Sequence, residues 1–148
     1  MENKKYYEDF SIEMKVDLGN YKVTKEEILE FASKYDPQPF HINEKEAENS
    51  MFGGIIASGW HTASICMRLY VDKILNHSYS LGSPGVDEIR WKRPVRPGDI
   101  LSGKFIIIEK KPFKKDIGLI KGKAELYNQE NRLVMTFIGN GMFKMKNA

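Results

Sequence analysis

Apolar residues recur at helical spacing in the first half of the chain and in alternation in the second. Ile28, Phe31, Ala32 and Tyr35 share one helical face, which predicts a helix beginning after Thr24. Thr24 with Glu27 three residues later makes a capping box, and Val23 and Ile28 can close a hydrophobic staple around it. Pro37 and Pro39 end this helix, because the residue before a proline avoids the helical region. Asn43, followed by Glu46, predicts a second short helix to about Asn49, before the break at Gly53-Gly54. After Gly59, apolar residues from Ala63 to Leu75 cover most of a helix circumference, so this helix is expected to be buried. Weak alternation over Glu8–Val16 predicts an opening strand.

Beyond residue 85 the pattern changes. Val86–Val95, Ile100–Lys110, Ile117–Tyr127 and Leu133–Met145 read as strands. Arg96-Pro97-Gly98-Asp99 and Asn128-Gln129-Glu130-Asn131 read as turns. Four consecutive strands with short links predict an antiparallel sheet. Neither half of the chain can cover both faces of its own elements, so the expectation is one α+β domain over residues 1–148, with a sheet wrapped around a buried helix.

Composition narrows the function. The 23 basic and 20 acidic residues leave a net charge of +3, too small to point to nucleic acid. The basic run Lys110-Lys111-Pro112-Phe113-Lys114-Lys115 reads as a solvated loop between strands. The single cysteine, Cys66, excludes an intramolecular disulfide and reads as an inert core thiol. Three histidines without close spacing leave no zinc motif. The first ten residues lack the apolar core of a signal peptide, and no apolar run approaches the roughly 18–20 residues of a membrane span. The expected location is the cytoplasm, with no membrane partner.

Two segments can carry chemistry. In Tyr35-Asp36-Pro37-Gln38-Pro39-Phe40-His41, an acid and an imidazole stand five residues apart on a stretch that reads as a proline-stiffened loop. A rigid loop can aim a carboxylate and an imidazole at one point, as adding or removing water requires. The plainer alternatives stay open: Asp36 closing a turn on its own backbone, and His41 as a hydrogen-bonded core residue. Phe52-Gly53-Gly54-Ile55-Ile56-Ala57-Ser58-Gly59 runs into the buried helix, whose free N–H groups favour negative charge. Here the alternative is a tight-packing loop.

Asp36-Pro37-Gln38-Pro39-Phe40-His41, Ala47 six residues after His41, Phe52-Gly53-Gly54 and Ile56-Ala57-Ser58-Gly59 together resemble the signature of the MaoC-like dehydratases, which include the (R)-specific enoyl-CoA hydratases. Trp91-Lys92-Arg93-Pro94-Val95 and Pro97-Gly98-Asp99 extend the resemblance to about residues 20–145. Gln38 stands where the family usually has Asn, and Met67 where some hydratases carry a serine.

The resemblance implies a hotdog fold, a long central helix wrapped by a curved antiparallel sheet, assembled as a homodimer or larger hotdog array. It implies a catalytic set of Asp36, His41 and the Gly59 N–H, acting on a coenzyme A or acyl-carrier-protein thioester and needing no cofactor or metal. Gln38 and Phe40 would lie against the substrate. Lys92, Arg93 or Arg96 would meet the phosphates of coenzyme A. The implied reaction is reversible hydration of trans-2-enoyl thioesters to (R)-3-hydroxyacyl thioesters. A hotdog that binds acyl-CoA without turnover, and a hotdog thioesterase, are the alternatives.

Overall fold

A computed structural model describes residues 3–146. Its elements are β1 (Lys15–Lys22), α1 (Lys25–Tyr35), α2 (Pro39–Ile42), α3 (Glu44–Glu48), α4 (Gly59–Lys73), β2 (Gly85–Trp91), β3 (Ile100–Lys114), β4 (Ile117–Tyr127) and β5 (Leu133–Lys144). The five strands form one antiparallel sheet in the order β1-β3-β4-β5-β2. Register shifts interrupt every pairing, for example between Ile107 and Glu109, and such bulges bend a sheet. The buried face of β4 carries Gly118, Ile120, Gly122, Ala124 and Leu126 in strict alternation. A Cβ on Gly122 would stand 2.0 Å from the Phe105 ring, so its absence lets that ring lie flat on the strand. The core joins this face to Ile65, Cys66 and Leu69 of α4.

Local chemistry places the first helices as expected. Thr24 Oγ1 accepts from Glu27 N, and Glu27 Oε1 accepts from Thr24 N, which completes the capping box. Val23 and Ile28 are both fully buried beside it. Asn43 Oδ1 accepts from Glu46 N and starts α3.

Four expectations are corrected. The opening strand is not at Glu8–Val16: Tyr7–Asp9 is a 3₁₀ turn, Glu13 has φ 71°, and the strand begins at Lys15. The sheet therefore has five strands, with β1 on an edge. His41 lies not on a loop but in the single turn α2, which Pro39 can open because its missing N–H has no partner to lose there. The run Lys110–Lys114 is not a loop but the end of β3. Pro112 is tolerated because β1 no longer pairs with β3 there and a register shift follows it. Finally, α4 is buried on one side only: Trp60 is 60% exposed and Met67 44%. Among the described residues no helix is long and apolar enough to cross a membrane.

Candidate active site

Helix ends build the site. Asp36 is the C-cap of α1, its N–H bonded to Ala32 O at 2.8 Å. Pro37 and Pro39 then turn the chain, and Gln38 N–H bonds back to Asp36 O at 2.8 Å. His41 follows in α2, with its side chain only 5% exposed. Its Nδ1 lies 2.7 Å from the Ile56 carbonyl, which can only accept, so Nδ1 carries a proton and Nε2 is left for chemistry. Nε2 stands 3.3 Å from Asp36 Oδ2. The two groups read as candidates in the sequence are therefore brought together.

Ser58 is the third member of this cluster. It is the N-cap of α4, fully buried, and its Oγ donates to Asp36 Oδ2 at 2.7 Å. Gln38 Nε2 donates to Asp36 Oδ1 at 2.7 Å. Burial disfavours the Asp36 carboxylate, but the Ser58 and Gln38 hydrogen bonds and the adjacent His41 outweigh it and hold the acid below its ordinary range. Removing one donor to the charged form must raise that pKa. We therefore expect Ser58→Ala to shift the acid limb of any carboxylate-dependent rate to higher pH, measured as a kcat/KM profile against pH.

Helix α4 begins beside this pair. The Trp60, His61 and Thr62 amides bond to the Ser58 side chain or carbonyl, whereas Gly59, with the first helical amide, lines the same cleft as Asp36 and His41. That cleft, about 380 Å³, is also lined by Gln38, Phe40, Phe52, Trp60, Thr62 and Trp91. The Trp91 indole lies against the Gly59 backbone and donates from Nε1 to Gly59 O at 2.8 Å. Ala57 N–H to Val95 O, at 2.8 Å, ties the helix entry to the segment after β2.

Lys92 and Arg93 line the cleft, both exposed. Arg93 Nη1 also donates to Leu133 O at 3.1 Å. Arg96 is not among the cleft-lining residues. Its Nη2 donates to Phe52 O at 2.7 Å, so it anchors the Gly53-Gly54 loop. The sequence reading missed Ser58 and Trp91 as parts of the site. A serine directly before a helix is a capping signal, but nothing local announces its bond to an acid 22 residues away.

A curved antiparallel sheet around one helix, with a carboxylate and an imidazole on the cleft at that helix's N-terminus, defines a hotdog domain. The family model of the MaoC-like domain matches residues 9–128, and the chain belongs to that family. A MaoC-like dehydratase from Rhodospirillum rubrum is 33% identical with a TM-score of 0.88, covering 97% of this chain and 99% of that one. The uncharacterized protein YdeM of Bacillus subtilis is 28% identical over 123 residues, 83% of this chain and 87% of YdeM. The R-hydratase PhaJ1 of Pseudomonas aeruginosa shares the fold, with 19% identity and a TM-score of 0.77 over 97% of this chain and 88% of that one.

Proposed function

We propose that this protein hydrates trans-2-enoyl thioesters to (R)-3-hydroxyacyl thioesters, and catalyses the reverse dehydration. The reading rests above all on one observation: the Asp36 carboxylate, His41 and Gly59 open onto a single cleft. Asp36, held ionised, takes a proton from water as the oxygen bonds to Cβ of the substrate. The π electrons move onto the thioester oxygen, where the Gly59 N–H and the α4 N-terminus meet the charge. Nε2–H of a protonated His41 then gives its proton to Cα as the enolate collapses. The proton on Asp36 returns to Nε2 across the 3.3 Å gap, which resets the pair. Water, substrate and two side chains account for every proton and electron pair.

Lys92 and Arg93 at the rim supply the charge that coenzyme A phosphates or an acyl carrier's phosphopantetheine would meet. We extend the reading to a pair of chains. β2 is an edge strand, and its exposed Val86 and Trp91 adjoin Trp60 and Met67 of α4. An apolar edge of this kind is normally covered.

The deciding assay follows enoyl absorbance for a panel of enoyl-CoA and enoyl-carrier thioesters, with chiral analysis of the product and light scattering on the same sample. Loss of absorbance giving the (R)-alcohol, at the mass of two chains, is the expected result. Thiol release would make the protein a thioesterase. Calorimetric binding without turnover would make it a binding module.

A further inference from the structure

His61 lies in the first turn of α4, is not among the residues lining the cleft, and its chemistry is unused by the reaction above. It is 5% exposed. Its ring stacks on Phe31 of α1, with centroids 4.8 Å apart and planes 10° from parallel. Its Nε2 faces Glu27 Oε2 at 3.9 Å. At that distance the contact is electrostatic rather than a hydrogen bond. Among the described residues, Nδ1 is the one buried side-chain nitrogen or oxygen without a hydrogen-bond partner. Buried polar atoms are ordinarily partnered, so an imidazole at this position calls for a reason.

The reason lies in what Glu27 and Phe31 belong to. Glu27 accepts from Thr24 N at 2.9 Å, which caps α1, and from the Tyr21 hydroxyl of β1 at 2.7 Å. Its carboxylate is thus fixed from two elements and turns toward His61 from a third. Five residues beyond Phe31, α1 ends in Asp36, whose carboxylate must meet Ser58 and His41. Three residues before His61 stands Ser58 itself. A rotation or slide of α1 on α4 would therefore pull the carboxylate from the serine. Burial also disfavours a charged ring more strongly than Glu27 favours it, so the imidazole is kept neutral.

We infer that His61 is a positioning residue: its ring, beside Glu27 and stacked on Phe31, locks α1 onto the first turn of α4 and so sets Asp36 against Ser58 and His41. The consequence for rate rests on the hydratase reading; the consequence for Asp36 does not. The test is His61→Ala beside the ring-retaining His61→Phe, read by the titration of the Asp36 carboxyl carbon in NMR and by kcat and KM on an enoyl thioester.

In His61→Ala the Asp36 titration is expected to move up by about half a pH unit or more, as the Ser58 bond loosens. kcat should fall by about 10-fold with KM little changed, the signature of a misplaced group. His61→Phe keeps the stack on Phe31 but not the contact with Glu27, and should recover the titration and kcat only in part. Parent titration and kcat in His61→Ala would overturn the inference. So would a loss of folded yield with the parent Asp36 titration in the folded fraction, since an ordinary core residue does no more than that. If His61→Ala does not fold, Phe31→Leu removes the stack from the other helix and must move the Asp36 titration in the same direction; an unmoved value again overturns it. If the parent turns over no enoyl thioester, the hydratase reading fails while the Asp36 titration still decides this one.

Discussion

Asp36→Asn is expected to lower the hydration rate by about 10²–10⁴-fold while the fold survives. Asparagine keeps the shape of the side chain and an acceptor oxygen, so one bond from Ser58 or Gln38 can persist. It cannot take a proton from water. The amide also removes the negative charge 3.3 Å from His41 Nε2. Circular dichroism should match the parent, and the enoyl absorbance assay should show the loss in kcat. A variant that hydrates at the parent rate would remove Asp36 from the mechanism.

The second large effect is expected at Gly59. A Cβ there would stand 2.7 Å from Cε2, 2.9 Å from Nε1 and 3.0 Å from Cδ2 of Trp91. An indole is rigid, and this one is also pinned by its bond to Gly59 O at 2.8 Å. Either the ring leaves or the start of α4 shifts, and the Gly59 N–H moves with it. Gly59→Ala should cost about 10²–10³-fold in kcat, the scale of losing one oxyanion donor. The tryptophan emission should change with it. Pairing Gly59→Ala with Trp91→Leu removes the clash and should recover part of the rate. No recovery would show that the methyl acts on the substrate rather than through the indole.

What could be read from the sequence depended on how far the deciding contacts reach. The capping box and staple of α1 and the cap of α3 involve residues three to five apart, and each was legible as chemistry. The β-rich run of β4 and the two turns were legible for the same reason. Asp36 and His41 were legible as a pair, and the structure brings them together. The turn α2 was not: its own bonds are local, Asn43 N–H to Pro39 O among them, but it is anchored from a distance by Ile56 N–H to Phe40 O. Nor was the opening of the chain. Phe10 is buried in the core, and the segment from Ser11 to Met14 turns against Ile107 before β1 can start. The apolar circumference of α4 was read correctly as composition and wrongly as burial, because Trp60 and Met67 face outward. Ser58 on Asp36 and Trp91 on Gly59 join residues 22 and 32 apart, which no local pattern encodes.

Cys66 sits within the core of α4, 2% exposed, where burial pushes its thiol up to about 12. At neutral pH it holds almost no thiolate, and so offers alkylating reagents no nucleophile. The native chain is therefore a blank background for maleimide chemistry. A single cysteine introduced on an exposed position of β2 or at the cleft rim would carry a dye or spin label alone, without first replacing a core residue.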